Sequence, residues 1–187
     1  MKTAGIRALG IKLGIGFIAA LGTGLLTGIL LRVIMRVVAL LIDRLPGFSF
    51  GGTMFVIFTG VVFFLANSLI FTLINNWLPK WWLPKGLLYG SINLLVYGIP
   101  LFLFNPEGAL FGPQAPLAIA MFSLLFLASG ATLALGANRL EVWVRHNEAK
   151  RGVYMLVSFF LFIVPAILLL GTIVVDMVRK TILSIWL

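Results

Sequence analysis

The stretch GIGFIAALGTGLLTGILLRVIMRVVALLI, Gly14 to Ile42, decides the fold. It is almost wholly apolar and carries a ladder of positions four residues apart: Ala20, Gly24, Gly28, Arg32 and Arg36. Successive i+4 positions turn by only about 40° on a helix, so the ladder lies along one broad face. Ala20, Gly24 and Gly28, the last two a G-x-x-x-G pair, predict a helix-docking face on which another backbone comes close. That partner is either a helix of the same chain or one of another subunit. From Lys12 to Arg32 is about 30 Å of helix, the thickness of the hydrocarbon core, which puts Arg32 and Arg36 at the far interface.

Working outward, 61% of the 187 residues are hydrophobic and only 10% are charged. A soluble core of this size needs a polar coat that so few charges cannot make, so the fold class is an all-α integral membrane protein. The net charge of +9 would suggest nucleic acid in a soluble chain. Here the basic residues flank apolar runs, where they orient spans and meet anionic head groups; no nucleic-acid partner is expected. With no Cys and a single His, His146, disulfides, Cys-type zinc and iron–sulfur sites and a bis-His haem within one chain are excluded.

The apolar runs predict one polytopic membrane domain over 1–187, with five transmembrane helices at about 13–42, 53–74, 86–104, 117–138 and 152–175. The basic leader Met1–Lys12 before an apolar run could be a signal peptide, but the run is too long for an h-region and an uncleaved first span is expected. Leu45-Pro46-Gly47 ends the first helix. The glycine-rich run Gly47 to Gly52 is read as a tight turn with an aromatic anchor, or as an anion cradle at the start of the second helix. The repeat Trp77-Leu78-Pro79-Lys80 and Trp82-Leu83-Pro84-Lys85 is read as a surface-lying connector, with Lys80 and Lys85 as lipid anchors. Pro100 makes the third span prone to a kink. Glu141 and Arg145 form an i, i+4 pair that extends the fourth helix towards water.

Five spans put the termini on opposite sides. The positive-inside rule favours a cytoplasmic N-terminus, because Lys2, Arg7, Lys12, Lys80, Lys85, Arg139, Arg145, Lys150 and Arg151 then share the cytoplasmic side. Arg32 and Arg36 have three readings: snorkelling to lipid phosphates, pairing with Asp43, Asp176 or a partner's acid, or holding an anionic ligand.

Inside the membrane the polar content is mild. Asn67, Asn93 and Ser129 lie roughly 12 to 14 Å from the expected cytoplasmic ends of their helices and form a polar layer, either interhelical hydrogen bonding or a small-solute site. No nucleophile with a base, no acidic pair within a span and no metal cluster is present, so neither catalysis nor a cofactor is expected. The sequence therefore predicts a non-catalytic cell-membrane protein, an accessory or structural subunit of a larger complex with partner subunits and lipids. The alternative is a small-solute transporter or channel component.

Overall fold

The computed structural model describes residues 2–41, 49–104 and 114–186. In chain order these form α1 (Lys2–Leu41), α2 (Phe50–Ile74), α3 (Trp82–Asn93), a π-helical turn (Leu94–Gly98), α4 (Ile99–Phe104), α5 (Ala115–Arg145) and α6 (Glu148–Trp186). No strand occurs among the described residues. Five helical segments are long and apolar enough to cross a membrane, the third running from Trp82 to Leu103 through α3, the π turn and most of α4. The protein is an all-helical, multi-pass membrane protein.

Several helix limits differ from the sequence expectation. The leader is not separate: Lys2 to Lys12 is the first part of α1, because nothing in it breaks a helix. The second half of the tryptophan–proline repeat is the first turn of α3 rather than connector. Proline is tolerated there because the N–H it lacks would have no intrahelical partner. Similarly, α2 begins at Phe50, where Ser49 caps it by accepting from the Gly52 N–H at 3.2 Å. The break at Pro100 takes the form of the π turn just before it, closed by the Ile99 N–H on the Leu94 carbonyl. At the other end, α5 continues to Arg145, with the expected Glu141–Arg145 pair made at 2.6 Å.

The bundle is assembled from two glycine interlocks of the same build. Gly24 and Gly28 of α1 straddle Gly60 of α2. A Cβ on Gly24 would lie 2.5 Å from the Val61 Cα, and one on Gly28 would lie 2.6 Å from the Ile57 Cα. Gly86 and Gly90 of α3 straddle Gly130 of α5 in the same way, and a Cβ on Gly90 would come within 2.7 Å of the Phe126 carbonyl. In both pairs rising numbers on one helix meet falling numbers on the other, so the helices are antiparallel.

The two pairs join across α1 and α5, where Ala19, Ala20, Phe64, Tyr89, Leu133 and Ala134 make a common core. Then α6 is added along α1: Gly14 touches the Met155 backbone, and Phe17 meets Phe162 edge-on at 6.1 Å. Thus α1 packs against α2, α5 and α6 and is the hub of the bundle.

A side chain at either interlock must displace a backbone. Gly60→Leu and Gly130→Leu should each lower the thermal midpoint in detergent by at least the ~1–3 kcal/mol equivalent of overpacking. The exposed change Leu26→Phe should stay within about 0.5 kcal/mol of the parent. Equal midpoints for Gly60→Leu and Leu26→Phe in a circular-dichroism melt would remove the interlock.

Candidate functional site

The helix ends at the Lys12 side of the bundle leave a cleft of about 250 Å³ between α1, α2, α3 and α5. Lys12 enters from the first third of α1, Thr72 from the last turns of α2, and Asn75 and Asn76 from the turn that follows. Lys85 comes from the first turn of α3, and Asn138, Glu141 and Arg145 from the end of α5. Four separate segments thus bring three cations and three amides to one opening. Glu141 is already bonded to Arg145 at 2.6 Å, so Lys12 and Lys85 leave the cleft cationic.

Lys85 is held in place by donating to Asn75 Oδ1 at 2.9 Å. An ammonium has three donors, so two remain for a ligand, beside the amide donors of the asparagines. A donor-rich, cationic opening of this kind suits a carboxylate or a phosphate.

Phe71 lines the cleft and, at 5.0 Å, packs edge-on against Tyr89, which is fully buried. Below that ring the Tyr89 hydroxyl donates to the Asn67 carbonyl at 2.8 Å, a bond between α3 and α2. The Asn67 side chain donates back to the Phe63 carbonyl at 3.1 Å. Asn93, one turn on from Tyr89 and 2% exposed, has a buried Nδ2 with no hydrogen-bond partner among the described residues. The π turn starts at the next residue.

No family model, no curated protein and no solved structure matches this chain.

Some residues singled out in the sequence meet as expected, and others do not. Gly24 and Gly28 are a docking face, but the helix docked on them is α2 of the same chain, and Ala20 is buried in the core beside them. Of the polar layer, Asn67 accepts from the Tyr89 hydroxyl and Asn93 is buried one turn on from Tyr89 in α3, whereas the Ser129 hydroxyl bonds back to the Phe126 carbonyl of its own helix at 2.8 Å. Lys85 faces the cleft, while Lys80 is exposed in the connector next to the outward-facing Trp77 and Trp81. Arg32 donates through Nε to the Thr53 hydroxyl at 3.3 Å, and that hydroxyl donates to the Ser49 carbonyl at 3.0 Å. This ties α1 to the first turn of α2. Arg36 is half-buried one turn further on, and Asp176 is exposed on α6. Asp43 and Gly47 lie outside the described residues.

Two features were not singled out from the sequence. Tyr89 reads there as one more aromatic in an apolar run; its position seven residues after Trp82 gives no sign of a buried bond to α2. The cleft joins residues 12, 72–76, 85 and 138–145, a set no local pattern connects, although each cation had been assigned to the same side of the membrane.

Removing the Tyr89 hydroxyl takes away the bond to the Asn67 carbonyl between two buried residues. Tyr89→Phe should therefore destabilise by about 1–3 kcal/mol. Asn93→Leu removes a donor that has no partner and should cost less than that, or stabilise. Chemical-denaturant curves in micelles check the order of the two variants; the reverse order would show that Asn93 is the residue holding the cluster together.

Proposed function

We propose that the protein is a non-catalytic accessory subunit of a larger assembly in the cell membrane, and that its cationic cleft seats an acidic group presented by a partner. The observation that carries this is the convergence of Lys12, Lys85 and Arg145 from three helices on one opening. Both glycine faces are consumed in building the bundle, so they are not available to a partner. Contact falls instead to the cleft, with the basic end towards the cytoplasm by the positive-inside rule.

The experiment is purification in a mild detergent followed by charge reversal. The parent chain should run as a particle larger than one protomer. Lys12→Glu with Lys85→Glu should release the extra component at least about tenfold more readily, and salt near 1 M should do the same, because screening then acts over about 3 Å. A lone monomer in every mild detergent ends this reading.

One observation favours a second reading, a path for a small anionic solute. The buried Asn93 Nδ2 lies below the cleft, behind Phe71 and Tyr89 and beside the π turn, and such turns are frequent at functional sites. On this reading Asn67→Leu with Asn93→Leu should abolish flux into liposomes at unchanged reconstitution. Intact flux in that double variant leaves the asparagines a purely structural part.

A further inference from the structure

Helices α5 and α6 are joined by a tight turn at His146 and Asn147, yet they barely touch, because α6 lies against α1 and α2 instead. The gap between them is a groove with α1 as its floor. Near the Lys12 end it opens as a cavity of about 510 Å³ lined by Arg139, Trp143, Tyr154 and Ser158. Deeper along the bundle it continues as a cavity of about 320 Å³ over Ala19, Gly22, Leu26, Thr132 and Gly136. Ile18, Arg139 and Leu140 line both, so the two are one continuous channel on the outside of the bundle.

Polarity changes along this channel in a definite order. Arg139 lies six residues before the end of α5, about 9 Å below the Arg145 level, where a guanidinium reaches the phosphate layer. It forms no hydrogen bond or ion pair among the described residues, and no acidic residue lines either cavity. Arg151 sits beside the mouth, its guanidinium 4.4 Å from the Trp143 ring centre and bonded to the Trp143 carbonyl at 2.7 Å. From Ile18 to Leu26 the floor then runs about 12 Å across the membrane centre, with small or apolar side chains and the hydroxyls of Thr23 and Thr132 as its only polar groups. Gly22 keeps it open: nothing lies within 4 Å of a Cβ built there.

We propose that this groove is a binding site for an anionic glycerophospholipid, with the phosphate on Arg139 and an acyl chain laid over Gly22 and Gly136. Charge selects the occupant. An unpaired cation at the shallow end of an apolar channel matches a lipid with an anionic head and a hydrocarbon tail, and ordinary surface lipid needs no such channel. Trp143 and Tyr154 flank the position of the glycerol, the layer that amphipathic rings favour.

The test is reconstitution into nanodiscs of phosphatidylglycerol and phosphatidylcholine in equal parts, followed by native mass spectrometry. The parent chain should retain phosphatidylglycerol in preference to phosphatidylcholine. Arg139→Gln should lower that retention about tenfold, the scale of one lost charge-assisted hydrogen bond, and Arg139→Lys should restore part of it. Gly22→Leu should also lose the lipid, since its side chain fills the floor without meeting any protein atom within 4 Å of the Cβ. Unchanged thermal melts confirm that both variants fold. Parental retention by either Arg139→Gln or Gly22→Leu overturns the proposal, as does a parent chain with no preference or with a second polypeptide in place of lipid.

Discussion

Backbone-to-backbone contact through glycine is the constraint on which the rest of this bundle depends. In hydrocarbon there is no hydrophobic gain in bringing two apolar helices together, so association rests on close van der Waals packing and on hydrogen bonds. Gly24 and Gly28 around Gly60, and Gly86 and Gly90 around Gly130, supply the first of these. The Tyr89 bond to the Asn67 carbonyl supplies the second and links the two pairs from the α2–α3 side, while Ala19 against Gly136 links them across α1 and α5. Once the two pairs are fixed, the heights of the helix ends are fixed as well, and the cleft at the Lys12 end follows from them.

The cleft shows how an ordinary topological signal becomes a site. Lysines and arginines near helix ends orient a membrane protein, and a solvated or lipid-facing position satisfies that requirement. Here the interlocks turn Lys85 inward to Asn75, and place Lys12 and the Glu141–Arg145 pair around the same opening. Like charges brought together this way repel, and the amide bond on Lys85 and the carboxylate on Arg145 offset part of that cost. What remains is an attraction for an anion that no single residue would provide.

The membrane class, the five crossings and the close-packing face of α1 were legible in the sequence because each depends on composition or on period within one segment. The G-x-x-x-G pair of α1 is visible in the sequence, but its partner is not, since any glycine on any helix would serve; in the fold it meets Gly60 of α2. The matching pair at Gly86 and Gly90 was not singled out although it lies at the start of the expected third span, because a second G-x-x-x-G carries no sign of which helix it meets. The layer of Asn67 and Asn93 was found by depth counting. Depth says nothing of direction around a helix, so Ser129 was included at the right level with its hydroxyl turned to its own backbone. The cleft and Tyr89 depend on contacts between distant segments, and only the fold supplies those.

Helix length bears on how the bundle meets its surroundings. The membrane-spanning helix α1 is 37 residues long over Gly5–Leu41, with Arg7, Lys12, Arg32 and Arg36 inside it, and even a tilt of 40° would leave it spanning about 42 Å against roughly 30 Å of hydrocarbon. Tilt alone cannot hide it. The Arg32–Thr53 bond fixes the level of α1 against the start of α2, so the turns after Arg36 rise beyond the first residues of α2. Val37, Leu40 and Leu41 are exposed on those turns. Apolar side chains at that height need cover from the head-group layer or from another membrane protein, and a solute path through the centre of the bundle has no use for them. The projection of α1 therefore leaves the cover of these side chains to something outside the described bundle.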